Sequence, residues 1–372
     1  MDIIDKVLEG LCAFPHRGSG SENESKAADF LENTLKESGA ESTSEAFTCS
    51  KSYIFDIWWH IIFLISALAL FPFNPVIASI AYLIVTLLFL FNLDFYSTFF
   101  TSLPPRIRSR NVIGKNQNKS DSNSKIRLLI TAHYDSAPVS ELYKSSKVKN
   151  FRSSLYMNAI VLVLFSIYTL TIAFMDLPAY ADAFRYFIIL YLMIQAWVIS
   201  HEYFAQGYTP GAADNASGTA AAIALAQSLW NDPVEGIEAE VILFGAEETG
   251  MKGSMAYVKN HAKELQSGNV YQLNFDNVGA GNCRYITRSG ALTTINYKNA
   301  LIDAADTCSK TEEFSAIKAG KWHTGDFDSL PFHRAGIPVM TISAQDDEGQ
   351  IPFLHRPEDN LDNVDRDCIH KA

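Results

Sequence analysis

At 372 residues the chain is long enough for one large folded core, or for a core joined to a membrane part. Its 41 acidic residues outnumber the 30 basic ones, and the resulting net charge of −11 argues against nucleic acid as a partner. Five cysteines with no CxxC spacing argue against a disulfide-rich secreted scaffold, rule out a structural tetra-cysteine zinc site, and are expected to be thiols.

In chain order, residues 1–40 lack the basic start and continuous apolar run of a signal peptide, so the chain is expected to open on a folded, soluble element. They read as two amphipathic helices around a loop at His16–Glu22, with Ala27, Ala28, Phe30, Leu31 and Leu35 at helical spacing. Two apolar blocks follow. The first holds Ile57–Phe73, apolar save for His60, and a second run from Asn74-Pro75 to Leu93. The second holds the uncharged run Leu155–Met175 and a run from Phe184 to Ser200, where Arg185 is expected to snorkel to an interface.

A bilayer core of about 30 Å is crossed by about 20 helical residues, so these runs predict four spans. The turns at Phe71–Pro75 and Asp176–Asp182 are short, which makes two hairpins and places the rest of the chain on one face of the lipid bilayer. Arg106, Arg108, Arg110 and Lys115 follow the first hairpin, and Lys144, Lys147, Lys149 and Arg152 precede the second. Basic flanks of this kind stay in the cytoplasm, so the soluble part is expected on the cytoplasmic face. The expected division is a discontinuous soluble domain of residues 1–52, 101–150 and 201–372, with hairpins at 53–100 and 151–200.

Outside the hairpins, Arg110–Ile113, Ile126–Ala132, Glu240–Ala246, Tyr271–Phe275 and Ile337–Ser343 read as short buried strands, and Ala216–Trp230 as an Ala-rich helix. The polar stretch Asn116–Lys125 reads as a loop. Alternating strands and helices predict an α/β fold whose mostly parallel (mixed) sheet carries helices on both faces.

Ligands in such folds gather beyond the carboxyl ends of the strands. There the sequence places His133-Tyr134-Asp135, Glu247-Glu248 and Asp276, while Asp214 sits in the loop opening the Ala-rich helix and His355 follows the last strand. Each is unremarkable alone. Together, two histidines, three carboxylates and one adjacent carboxylate suit two zinc ions sharing a bridging group.

Six words carry a resemblance: AHYDS at 132–136, GAADNASG at 211–218, GAEETGMKGS at 245–254, NFDNVG at 274–279, FDSLPFHRAGIP at 327–338 and LHRPEDNLDNVD at 354–365. In content and order they resemble metallopeptidase family twenty-eight, the zinc exopeptidases that include leucyl-type aminopeptidases. The resemblance spans the soluble part and leaves both hairpins unexplained. It implies a zinc-exopeptidase-like fold and two Zn2+ per chain, one on His133, Asp214 and Asp276, the other on Asp214, Glu248 and His355. It further implies Glu247 as general base and Asp135 as the carboxylate that orients His133. Asp359 reads either as the same device for His355 or as a turn acid. Many members carry Ser-Asp-His where this chain has Phe327-Asp328-Ser329, which puts the substrate-side contacts in question.

The expected activity is removal of residues from peptide termini, aminopeptidase first, on peptide substrates that include hydrophobic or membrane-derived ones. Insertion of the second hairpin between Asp135 and Asp214 places the site near the membrane surface. A carboxypeptidase shares the same metal core. A glutaminyl cyclase would use one zinc, and a non-enzymatic scaffold would have lost ligands that this chain retains. A transporter would carry more polar residues inside its spans.

Overall fold

The computed structural model describes residues 2–116, 126–175 and 179–372. The stretch read as a polar loop lies outside the described residues except for Asn116, as do residues 176–178 of the second hairpin's turn.

The first helix, Ile3–Cys12, buries Ile4, Val7, Leu8 and Leu11 at i, i+3, i+4 and i+7. The second, Glu22–Glu37, starts where Ser21 Oγ accepts the Glu24 amide, and buries Ala27, Ala28, Leu31 and Leu35. The first helix packs against the second and against the Gly218–Asn231 helix, and the second lies on one edge of a nine-stranded mixed sheet. Its strands are β1 (Ala40–Ser50), β2 (Arg106–Asn116), β3 (Ile126–His133), β4 (Ile237–Phe244), β5 (Val270–Phe275), β6 (Asn282–Ser289), β7 (Ile295–Asn296), β8 (Lys318–Lys321) and β9 (Val339–Gln345).

The order is β1-β2-β4-β3-β5-β9-β6-β7, with β8 on β6. Strands β4, β3, β5 and β9 run parallel at the centre, and antiparallel pairs flank them. Leu129 and Ile130 are both fully buried although successive strand residues point to opposite faces, so the sheet is covered on both sides. The sequence missed the flanking strands β1, β6, β7 and β8. Strand β1, AESTSEAFTCS, has few apolar residues, and its partner β2 runs the full Arg106–Asn116 rather than Arg110–Ile113. Both owe their length to pairing with each other along eleven residue positions, which no single-strand pattern reveals.

The apolar blocks form four helices, Tyr53–Leu70, Pro75–Leu93, Phe151–Phe174 and Ala179–Gln206, long and apolar enough to cross a membrane. They bury a separate cluster of their own, with Leu64, Leu68, Tyr82, Leu162, Ile188 and Leu192 at its centre. Their outer faces expose Ile84, Ile167, Leu190 and Trp197, an apolar belt far beyond what a soluble surface carries. Arg185 does not snorkel: it is buried, its guanidinium donating to Asp182 and to the Leu68 carbonyl, because these acceptors lie within the bundle.

Each hairpin is an insertion closed at its base. Ser50 pairs with Arg106 at the end of the β1–β2 ribbon, and Pro138 bridges Tyr208 beneath the second hairpin. Polar contacts tie the helices to the sheet domain. Asp56 pairs with Lys252 at 3.4 Å, Arg152 donates to the Ala291 carbonyl at 3.1 Å, and Asp94 accepts the Thr293 amide at 2.9 Å.

Candidate metal centre

The parallel register brings the strand ends to one edge. His133 closes β3 opposite Phe244, the last residue of β4, so the Gly245–Glu248 turn begins beside it. Asp276 directly follows Phe275 of β5. Asp214 arrives from the other direction, in a non-helical turn before the Gly218–Asn231 helix, and the Asp214–Asn215 peptide is cis. His355 lies in the loop after β9, with its ring 4.5 Å from that of Tyr143.

The side chains converge. His133 Nε2 lies 3.3 Å from Asp214 Oδ1 and 3.7 Å from Asp276 Oδ2. His355 Nε2 lies 3.5 Å from Asp214 Oδ2 and 3.2 Å from Glu248 Oε2. Three groups each keep their potential ligand atoms within 4.8 Å of one another: His133 with Asp214 and Asp276, Asp214 with Glu248 and His355, and His133 with Glu247 and Glu248. Asp214 belongs to two of them, one oxygen toward each histidine. Three of the six non-glycine residues with positive φ among the described residues, Ala246, Asn277 and His355, are or adjoin members of this cluster. Backbone held in that region concentrates at functional sites.

The donor set fits a metal. His133 Nδ1, Asp214 Oδ2 and Glu248 Oε1 are buried without a hydrogen-bond partner, whereas buried polar atoms of folded proteins are nearly always paired. Burial, reinforced by neighbouring carboxylates, pushes Glu247 and Glu248 well above the usual carboxylate range, and burial pushes Asp276 up to about 6. Burial alone would raise Asp214 too, but the His133 imidazole holds it down. Burial opposes a charged His133, yet Asp135, Asp214, Glu247 and Asp276 outweigh it and hold its pKa well above the ordinary value. So dense a group of acids calls for a cation to compensate it.

Further residues hold these side chains in place. Asp135 accepts the amides of Glu247 and Glu248 and the hydroxyl of Ser19, and lies 3.6 Å from His133 Nδ1. Asp359 accepts the amides of Ala213 and Asp214, at 2.6 and 3.1 Å. Its hydrogen bonds therefore fix the Asp214 turn rather than His355. Asn277 donates to Asp214 Oδ1 and Asp276 Oδ1. The fully buried Arg17 donates to the carbonyls of Leu11, Tyr134, Pro210 and Gly211, clamping the loop that leads to Asp214. That loop needs Gly211: its φ is +72°, and a Cβ there would stand 2.6 Å from Ser136 Cβ. Sequence reasoning missed Arg17, Ser19 and Asn277. Arg17 and Ser19 lie in a loop without periodicity, and only the asparagine next to Asp276 offered any signal.

The seven candidate residues, His133, Asp135, Asp214, Glu247, Glu248, Asp276 and His355, thus meet at one edge of the sheet. All except Asp135 line a cavity of about 680 Å³ that continues between the four apolar helices.

A family profile described as Peptidase family M28 matches residues 191–372. The likeness is to these peptidases. Glu247, Glu248, Asp276 and His355 fall inside the matched stretch, whereas His133 and Asp135 precede it and reach the site through the fold. Aminopeptidase YwaD of Bacillus subtilis is 30% identical over 179 residues, 47% of this chain and 38% of its own length, so the chain spans well under half of that relative. Among solved structures, the aminopeptidase of Aneurinibacillus sp. strain AM-1 superposes with a TM-score of 0.58 at 16% identity, covering 99% of this chain and 90% of that one. The Porphyromonas gingivalis glutaminyl cyclase does so with 0.55 at 14%, covering 99% and 93%. At such identities the likeness is one of fold, and it includes both chemistries. Together the family match and the aminopeptidase relative support a metallopeptidase hydrolase.

Proposed function

We propose that this chain is a membrane-anchored, zinc-dependent exopeptidase, an aminopeptidase, with two ions per chain. The observation that carries the reading is Asp214, shared between two groups of ligand atoms, with Glu247 beside them in the same cavity. His133, Asp214 and Asp276 would hold one zinc, and Asp214, Glu248 and His355 the other. Zinc bound there would supply a Lewis acid and would bring the pKa of a bound water down to about 7.

Glu247 is the general base. It would take the water's proton and return it to the leaving amine. Asp135 and Asp359 hold the two ligand turns in place. The hairpins at 53–100 and 151–200 anchor the chain, the remaining segments form the peptidase domain, and the basic flanks put that domain on the cytoplasmic face. Substrates are peptides, hydrophobic ones among them.

The test is hydrolysis of free and N-acetylated short peptides by protein in lipid nanodiscs, with and without chelator. Chelator-sensitive release of amino-terminal residues, blocked by acetylation, is expected. Cleavage of acetylated peptides from the carboxyl end would replace the reading with a carboxypeptidase. Cyclisation of amino-terminal glutamine without hydrolysis would replace it with a cyclase.

A further inference from the structure

The cavity does not stop at the sheet edge. Ser140 ties its two parts together: its amide donates to the His355 carbonyl at 2.9 Å, and its hydroxyl donates to Glu202 at 2.5 Å. Glu202 of the fourth apolar helix therefore stands level with the ligand cluster. From that level, Ile199, Gln195 and Tyr191 line the cavity at helical spacing along the same stripe. The third apolar helix answers with Leu155, Ala159 and Leu162. On each helix the lining runs over twelve residues, Phe151 to Leu162 and Tyr191 to Glu202, whose separation is about 16 Å at 1.5 Å per residue. Ile57, Ile61 and Phe89 of the first hairpin line it as well.

This is a deep apolar cleft continuous with the cluster, far larger than one side chain needs. At about 3.3 Å per residue it accommodates about five residues of extended peptide. Its walls are not wholly apolar. Gln195, whose side chain ends in a carboxamide, lines the cavity about 10 Å in from Glu202, is half-buried, and makes no hydrogen bond to the described residues. A hydrocarbon chain would leave that group unpaired, whereas the backbone of a peptide pairs with it.

We infer that the cleft between the hairpins is an extended subsite for the main chain of apolar peptides, with Gln195 as its backbone-reading residue about three residues from the scissile bond. The inference rests on the exopeptidase reading above. It makes the enzyme selective for apolar peptides by length.

The experiment compares kcat/KM for Leu-Leu, Leu-Leu-Leu-Leu and leucine decylamide in nanodiscs, for wild type and three variants. Wild type is expected to favour the tetrapeptide over the dipeptide by about tenfold or more, the worth of one or two added contacts. Ala159→Trp, which fills the cleft, should abolish that ratio, and Gln195→Leu should lower it while leaving the decylamide-to-dipeptide ratio in place. Val163→Trp, on the same helix but outside the cavity lining, should alter neither ratio. If Ala159→Trp silences the dipeptide too, Leu162→Phe, nearly one turn deeper, is read in its place. A wild-type ratio near one, or a ratio that survives filling of the cleft, overturns the subsite while leaving the peptidase intact. A decylamide preferred over the tetrapeptide and indifferent to Gln195→Leu overturns the peptide assignment in favour of a hydrocarbon chain. No hydrolysis of any of the three by wild type overturns the exopeptidase reading itself, and the subsite with it.

Discussion

Asp135 Oδ1 accepts the backbone amide of Glu247 at 3.0 Å, while Oδ2 accepts that of Glu248 at 3.2 Å. One buried carboxylate thereby fixes both acidic residues after β4 and still lies 3.6 Å from His133 Nδ1. Asp135→Asn puts an N–H donor where one of these amides needs an acceptor. Metal affinity is expected to fall about 10- to 100-fold, as for other changes to groups that support ligands. Zinc retained after dialysis against graded chelator measures it, and unaltered retention would remove Asp135 from the support of the centre.

Glu247 and Glu248 are neighbours to which the proposed function gives different tasks. Glu247→Gln should lower turnover about 10²- to 10⁴-fold, the usual worth of a general base, with metal content near normal. Glu248→Gln should lose metal. Parallel metal analysis and peptide turnover separate the two, and metal loss in both variants would sink the base assignment.

Arg17 is buried on four carbonyls and makes no ion pair among the described residues. Arg17→Met strands those acceptors, at about 1–3 kcal/mol for each that finds no substitute. A lower melting temperature and weaker zinc binding are expected together, since Pro210 and Gly211 lead to Asp214. Arg17→Lys should not restore them, because a single ammonium cannot fork across carbonyls that lie apart. Melting curves with and without zinc report both effects.

Burial, with the Asp135 charge second, pushes the Glu24 carboxyl from its ordinary 4.5 up to about 8. The folded protein keeps a proton there that the unfolded chain releases. Stability from this group is therefore full below about pH 4.5 and falls as pH rises toward 8, by at most about 1.4 kcal/mol per unit. Glu24→Gln cannot ionise, so its stability relative to wild type should rise between pH 5 and pH 8.5. Melting temperatures at both values test this, and a difference that does not change with pH would mean Glu24 is already charged at pH 5.

Much of this was legible in the sequence for a physical reason. Val241, Ile242, Leu243 and Phe244 are all buried, and a strand covered on both faces must read as an unbroken apolar run. The residues that end such strands are then candidates by position, as His133 and Asp276 were. Strand β1 was illegible because its place depends on β2, and Arg17 because a clamp made of backbone carbonyls leaves no trace in residue types. The cleft was hidden for a third reason: Gln195 is one polar residue in a long apolar helix, and its meaning depends on what faces it.

Both hairpins leave the sheet domain and return to it at adjacent points, Ser50 beside Arg106 and Pro138 beside Tyr208. Closing a longer connection between points already in contact adds only about 0.6 kcal/mol for each doubling of its length. In evolutionary terms, each apolar hairpin is a cassette that an existing surface connection can accept without disturbing the strand order. One cassette can therefore be exchanged for another while the sheet edge that gathers His133, Asp214 and Asp276 stays the same.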